Sequence, residues 1–315
     1  MNENRTAVLL GGGLGKMVCT TSVLPKLKEK YGEIVVVNPY PEVFSYNPHV
    51  YRNLTYNEKY LYEDYLQELN VLVGEPYLRK AYRFDHKHLI EAYCDLYGIE
   101  YSPDMKPQLF LSPEEEAFGQ QQKAQLGDYL ILHVTGGTSY YSPQNASNKP
   151  VKSRDWPIEV AQRFVDTFVK AFPKIKIIQV ALQTEPILKN VQTTNLPSRM
   201  LFPLIKYSKT FLSIDGFVNH VSAAVEKKGV VLWGGTDPKR LGYDSNVNMV
   251  LDYKCSKKFC HKTDFYSHLG GKEMSCVDKY ICMQHDPDEV LAEVSKIIKN
   301  SEESSEKACA KCPGK

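Results

Sequence analysis

TFLSIDGFVNHVSAAVEKKGVVLWGGTDP, residues Thr210 to Pro238, decides how the rest of the chain is read. Its first part, Phe211 to Ile214, is a continuous apolar run that ends on Asp215-Gly216. Small residues suited to a helix follow from Val218 to Val225, and a second apolar run, Val230 to Trp233, stops at Gly-Gly-Thr-Asp-Pro. Strand, turn, helix, strand, turn is the unit of a parallel sheet. It brings two strand ends and one helix N-terminus to the same edge. Open α/β sheets bind ligands at that edge, and the unpaired N–H groups of a helix start favour an anion there.

Outward from this unit, apolar runs recur at Ala7–Leu10, Ile34–Val37, Val71–Val73, Leu109–Leu111, Tyr129–Val134, Ile175–Leu182 and Met249–Leu251. They are continuous rather than alternating, as in parallel strands buried on both faces. Helical stretches are predicted over Val18–Tyr31, His86–Tyr97, Pro157–Ala171 and Pro287–Asn300, and this alternation predicts a doubly wound α/β protein. A polar connection from Ser112 to Lys123 separates two sets of strands. It predicts one α/β unit over 1–120, a second over 121–300, and a mobile polar tail over 301–315.

The 315 residues, 43% hydrophobic and 24% charged, bury a large globular core. A formal net charge of +2 gives neither a strong nucleic-acid nor a strong membrane footprint. No apolar run is long enough to span a bilayer, and the first one flows straight into a glycine turn, so a cytoplasmic protein is expected. One basic patch stands out, Lys254 to Lys262, with Lys257, Lys258 and His261. Of eight cysteines, Cys19 and Cys94 are isolated and read as small core residues, while six lie beyond residue 254. Clustered cysteines without a secretory leader favour a metal over disulfides. Cys255, Cys260, Cys276 and Cys282 offer four thiolates to a structural zinc or iron, with Cys309 and Cys312 as a further pair.

Three loops carry the chemistry. Gly11-Gly12-Gly13-Leu14-Gly15-Lys16 follows the first strand, and its glycines allow a sharp turn and close approach of a ligand. It matches neither the dinucleotide fingerprint nor the Walker pattern. His133-Val-Thr135-Gly136-Gly137-Thr138 ends the first strand of the second unit; a polar loop, Ser139 to Lys149, reads as a flap before Lys152-Ser-Arg154-Asp155-Trp156-Pro157. Asp155 is the predicted N-cap of the next helix, and the planar, multi-donor Arg154 suits a diphosphate. The third loop is Asp215-Gly216, with His220 five residues past Asp215 on a helix whose first amides would hold a phosphate.

Taken in order, LGGGLGKMVCTTSVLPKLKEKYG, PEVFSYNPHV, HVTGGT, SRDWPIEVAQRF, IDGFVNHVSAAV, VVLWGGTDP and CVDKYICMQHDPDEVLAEV resemble the heptosyltransferase family of glycosyltransferases, family 9, from about residue 6 to 298. The resemblance implies a GT-B fold, two Rossmann-like domains with parallel sheets facing across a cleft, the acceptor on the first and the donor on the second. It implies metal-independent, inverting transfer of a heptose or similar sugar from a nucleotide-diphosphate sugar, ADP-heptose or a relative, to an acceptor hydroxyl. Carried over by position, Thr135, Gly136, Arg154, Gly216 and His220 serve the donor diphosphate, and Gly235, Thr236 and Asp237 form the nucleotide turn. Lys16 and Asp215 are the catalytic candidates, and Gly12 and Gly13 form the acceptor-side loop. The subgroup resembling autotransporter heptosyltransferases carries a structural iron on cysteines in this region.

Two positions depart from the family pattern. Lys16 stands where the family has the aspartate taken as general base, and an ordinary lysine is protonated at pH 7 and accepts no proton. Either Asp85, His86 or His88 is the base, or Lys16 grips the leaving diphosphate or an anionic acceptor, or the chain binds a nucleotide sugar without transferring it. Asp215-Gly216-Phe217 also lacks the family's hydroxyl. A lipopolysaccharide core or other glycan, or a protein, is the expected acceptor. A hydroxylated DNA base is an alternative resting on the Lys254–Lys262 patch alone.

Overall fold

The computed structural model describes residues 5–136, 153–182, 185–194, 196–252, 254–255, 258–260, 276 and 279–310. The predicted flap over 139–149 lies outside them, as do Gly137, Thr138, Lys152, Lys257, His261, Lys262, Cys312 and the side chain of Cys309.

The apolar runs build two parallel sheets. The first contains β1 (Arg5–Leu9), β2 (Glu33–Val37), β3 (Arg52–Leu54) and β4 (Asn70–Val73) in the order β3-β2-β1-β4. The second contains β5 (Tyr129–His133), β6 (Lys176–Gln179), β7 (Gln192–Thr193), β8 (Thr210–Ile214), β9 (Gly229–Trp233) and β10 (Val247–Val250), in the order β10-β9-β8-β5-β6-β7. Strands β5, β8 and β9 are buried along their whole length, which is why YLILH, TFLSI and GVVLW do not alternate. Leu109–Leu111, predicted as a strand, pairs with neither sheet. The chain crosses there from one sheet to the other, with Gln108 N donating to Thr21 Oγ1 at 2.8 Å and both leucines packed on the core.

The helix predicted from Val18 begins earlier and is divided. Helix α1 (Leu14–Thr20) gives way to a 3-10 turn, Thr21–Val23, and α2 (Leu24–Tyr31) follows with a proline in its first turn. The hydroxyls of Thr20, Thr21 and Ser22 donate back to the carbonyls of Lys16, Val18 and Cys19, competing with a regular helix. After α3 (Lys80–Arg83), helix α4 (Leu89–Tyr97) starts three residues later than predicted because His88 caps it, Nδ1 accepting from Ile90 N at 3.2 Å. Helix α5 (Pro113–Leu126) opens with a capping box between Ser112 and Glu115. The remaining helices are α6 (Ile158–Ala171), α7 (Ser198–Tyr207), α8 (Phe217–Ala224), α9 (Pro238–Leu241) and α10 (Pro287–Ala310). The tail expected to be mobile from Ser301 is thus helical through Ala310; no glycine or proline interrupts the sequence before Pro313.

One apolar cluster runs from Val8, Met17 and Tyr93 beside the first sheet to Tyr129, Val218 and Trp233 of the second. Helix α1 packs on α8, and Arg199 of α7 donates to both oxygens of Glu115 at 2.6 and 2.7 Å and to Glu42 O at 2.9 Å. Among the described residues no helix is long and apolar enough to cross a membrane.

Candidate functional site

Each predicted loop, and one that was not predicted, Gly74-Glu75, follows the carboxyl end of a parallel strand. The glycine loop leaves β1, Gly74-Glu75 leaves β4, Thr135-Gly136 lies just past β5, Asp215-Gly216 leaves β8, and Gly234-Gly235-Thr236 leaves β9. The two sheet edges meet at Gly15. A Cβ there would stand 2.7 Å from Cδ2 of His220 and 3.2 Å from Cα of Phe217, so this contact between α1 and α8 requires glycine. A depression lined by Arg5, Tyr51, Arg52, Glu63 and Asp64 sits at the opposite end of the first sheet, where strands begin, and takes no part in this arrangement.

On the second sheet, Arg154 is held by Asp215. Its Nε donates to Asp215 O at 3.2 Å, a terminal nitrogen donates to the same oxygen, and Nε lies 3.4 Å from Asp215 Oδ2. Asp215 is buried, and the N-cap of α8 is Gly216 with no side-chain cap, so the first amides of α8 carry no side-chain partner at that position. A Cβ on Gly216 would fall 2.7 Å from Cε1 of His133, so this turn too requires glycine. Asp155 does not cap the following helix as predicted. Pro157 holds that position, while Asp155 Oδ1 accepts from Gly136 N at 2.8 Å and pins the loop after β5.

Burial dominates the ionisation of this region. It pushes His133 down to about 4, helped by the nearby Arg154 charge and opposed by Asp215. It pushes His220 to about 4 as well, so both rings are neutral near pH 7. His220 Nδ1 meets the Tyr243 hydroxyl at 2.7 Å, while Nε2 is on the Gly15 side. Thr135 and Thr236 are buried with hydroxyls lacking a partner of hydrogen-bond geometry, and Thr135 lies close to the carboxyl of Glu185, which burial raises. Asp237 Oδ1 accepts from Lys239 N at 3.0 Å and caps α9; Gly235 N donates to Ser153 O at 2.7 Å. Glu185 and Tyr243 were absent from the predicted set.

On the first sheet, Gly12 adopts φ +115°, open to glycine but strained for other residues. The stem of Lys16 lies over it, and Gly11 and Gly13 face open space. Lys16 is buried, and desolvation lowers its pKa against the opposing pull of Glu75. Its Nζ donates to Glu75 Oε2 at 2.6 Å and stands 5.2 Å from the centre of the Tyr77 ring. Glu75 was also missed in the sequence. The three base candidates each have a partner, and His88 lies against Tyr243, ring centres 5.5 Å apart, beside His220. Asp85 turns to Lys80 at 4.0 Å, His86 Nδ1 accepts from Arg240 at 2.8 Å, and His88 Nδ1 accepts from Ile90 N, leaving Nε2 to donate to Gly242 O at 3.0 Å.

Three of the cysteines bear on the fourth, Cys282. Cys282 is buried, and burial followed by the charges of Cys260, Cys276 and Cys255 pushes its thiol up to about 11. Four sulfurs within electrostatic reach are the right donor set for zinc or iron. Among the described residues, however, no three metal-ligating side chains assemble into a metal-holding group. Of the basic patch, only Lys254, Cys255, Lys258, Phe259 and Cys260 are described.

No protein-family model matches the sequence, and no curated protein matches it. Solved structures do. A family 9 glycosyltransferase from Veillonella parvula superposes with a TM-score of 0.65 at 15% identity, covering 95% of this chain and 98% of that one. Escherichia coli ADP-heptose lipopolysaccharide heptosyltransferase II gives 0.62 at 14% identity over 95% and 99%. TibC, an iron-containing dodecameric heptosyltransferase of enterotoxigenic E. coli solved with ADP-D-β-D-heptose, gives 0.63 at 11% identity over 96% and 77%. The chain has the α/β GT-B fold of these heptosyltransferases.

Proposed function

We propose that the chain is a family 9-like glycosyltransferase that moves a heptose or similar sugar, with inversion, from a nucleotide-diphosphate sugar to an acceptor hydroxyl. The observation that carries this reading is the meeting at Gly15, where the glycine loop of one sheet touches the helix whose free N-terminal amides lie beside Arg154. In this reading the unit expected over 1–120 holds the acceptor and that expected over 121–300 the donor, with helix α5 (Pro113–Leu126) running across the boundary between them. Thr135, Gly136 and Gly216 line the diphosphate, and Gly235, Thr236 and Asp237 turn around the nucleotide. The neutral ring of His220 donates from Nε2 toward the diphosphate when Nδ1 accepts from Tyr243. Attack by the acceptor oxygen on the anomeric carbon breaks the bond to the diphosphate, whose charge the α8 amides and Arg154 receive. Asp215 keeps the guanidinium aimed. ADP-heptose is the first donor to test, because structures of like fold hold it.

Titration of the protein with a panel of nucleotide-diphosphate sugars tests the reading. One member should bind, and both Arg154→Ala and Asp215→Asn should weaken it about tenfold or more, since each removes a charged hydrogen-bonding partner. Absence of binding across the panel would sink the reading. A lipopolysaccharide-core or protein hydroxyl is the acceptor class to test. Iron or zinc on Cys255, Cys260, Cys276 and Cys282 would fasten the region before α10 and take no part in transfer.

A further inference from the structure

Transfer requires a group to take the proton of the acceptor hydroxyl, and the position where a carboxylate was expected holds Lys16. The structure sets a carboxylate beside it. Glu75 follows β4 at the carboxyl edge of the first sheet, and its two oxygens are fixed by different partners. Oε1 accepts from Tyr77 N at 3.2 Å, and Oε2 accepts from Lys16 Nζ at 2.6 Å. Exposure divides the pair: the Lys16 side chain is 6% accessible and that of Glu75 27%. The Lys16 stem lies against Gly12 of the glycine loop, and Glu75 is the more accessible of the two side chains. Gly15, the residue before Lys16, stands against Phe217 and His220 of α8, so the Lys16–Glu75 pair borders the side on which the donor loops converge.

We propose that Glu75 is the general base of this glycosyl transfer and that Lys16 is its positioning residue. The inference rests on the transferase reading above. As the acceptor oxygen forms its bond to the anomeric carbon, its proton passes to the Glu75 carboxylate. The bond from that carbon to the diphosphate breaks, and the electron pair leaves on the phosphate oxygen. Lys16 holds Glu75 against Tyr77 N and offsets the negative charge growing on the acceptor oxygen. A buried lysine needs such a partner, since an unpaired ammonium there is strongly disfavoured.

Azide and water as alternative acceptors separate this role from a merely structural one. Azide carries no proton and needs no base; water needs one. With ADP-heptose, or the nucleotide sugar found in the binding panel, Glu75→Gln should slow hydrolysis by about 10²- to 10⁴-fold. Glycosyl azide formation should stay within about threefold of wild type, since azide brings no proton for a base to remove. Glu75→Asp should recover part of the hydrolysis, and Lys16→Met should fall toward Glu75→Gln in the water-to-azide ratio. Equal changes with water and azide, or no change with either, in a variant that binds donor like wild type would overturn the assignment of Glu75. Failure of the wild type to bind any nucleotide sugar would instead overturn the transferase reading itself.

Discussion

Gly15→Ala is the sharpest perturbation of the proposed arrangement. A Cβ at this position would stand 2.7 Å from His220 Cδ2 and 3.2 Å from Phe217 Cα, whereas ordinary contact begins at 3.4 Å. The shortfall at His220 is 3.4 − 2.7 = 0.7 Å. The ring cannot simply rotate away, because Nδ1 is tied to Tyr243 and the side chain is buried. The second obstacle is backbone, so α1 and α8 must separate. Overpacking of this kind costs about 1–3 kcal/mol, which corresponds to a fall in melting temperature of roughly 1.5–4.5 °C in a chain this long. Activity should suffer more than stability. A misplacement of about 1 Å between reacting groups costs on the order of 10²-fold, and here the acceptor loop is pushed off the helix that receives the diphosphate. Gly11→Ala, with nothing within 4 Å of its Cβ, serves as the stability control and should melt like wild type. Melting curves of both variants and steady-state transfer rates of Gly15→Ala decide the matter. If Gly15→Ala melts like Gly11→Ala and turns over like wild type, the two sheets do not meet where α1 touches α8.

Two further outcomes follow from ionisation and from the cysteines. His133, His220 and His285 are each held near 4 by burial, below their ordinary value of 6.5, so the unfolded chain binds more protons as pH falls. Their contribution to stability is complete above about 6.5 and is lost progressively as pH falls toward about 4. Denaturant midpoints should therefore drop between pH 7 and 4.5 by more than in a His285→Gln variant, and a flat profile would refute the burial argument. Protein purified with iron and zinc both available should carry about one metal ion per chain by elemental analysis, the occupancy of a single tetrahedral site. Cys282→Ser should release it and lower the melting temperature; metal-free protein with an unaltered Cys282→Ser variant would remove the metal from the reading.

The sheets were legible because parallel strands buried on both faces leave uninterrupted apolar runs, and Tyr129–His133, Thr210–Ile214 and Gly229–Trp233 are the clearest of them. Strands Arg52–Leu54 and Gln192–Thr193 left no such trace, being edge elements of three and two residues. Leu109–Leu111 misled for the opposite reason: its apolar side chains pack on the core from a connection without a neighbouring strand. Asp155 had the pattern of an N-cap, yet a side-chain oxygen beside two candidate amides goes to whichever the tertiary fold brings nearer, and that was Gly136. Glu75 escaped notice because its partner is 59 residues distant in sequence. A signal for it did exist, since Gly74-Glu75-Pro76 directly follows an apolar run at the carboxyl edge of a sheet. The pairing of a buried lysine with that glutamate is a fact of three dimensions alone.

The apolar cluster that passes from Val8 and Tyr93 to Val218 and Trp233 carries a consequence for how the molecule comes apart. When two lobes are joined only by a linker, each is its own foldon and each melts on its own schedule. Here Met17 and Val218 belong to one interior, so stripping away either lobe would leave an aromatic-rich wound on the other. Calorimetry should show a single endotherm, and separately expressed halves, cut between Leu111 and Ser112, should aggregate. Shared interior surface also restricts motion: the lobes can roll on one another while keeping that surface covered, but wide separation would approach the cost of unfolding. In the proposed transferase, substrates would enter and products leave by small rotations that keep this surface covered.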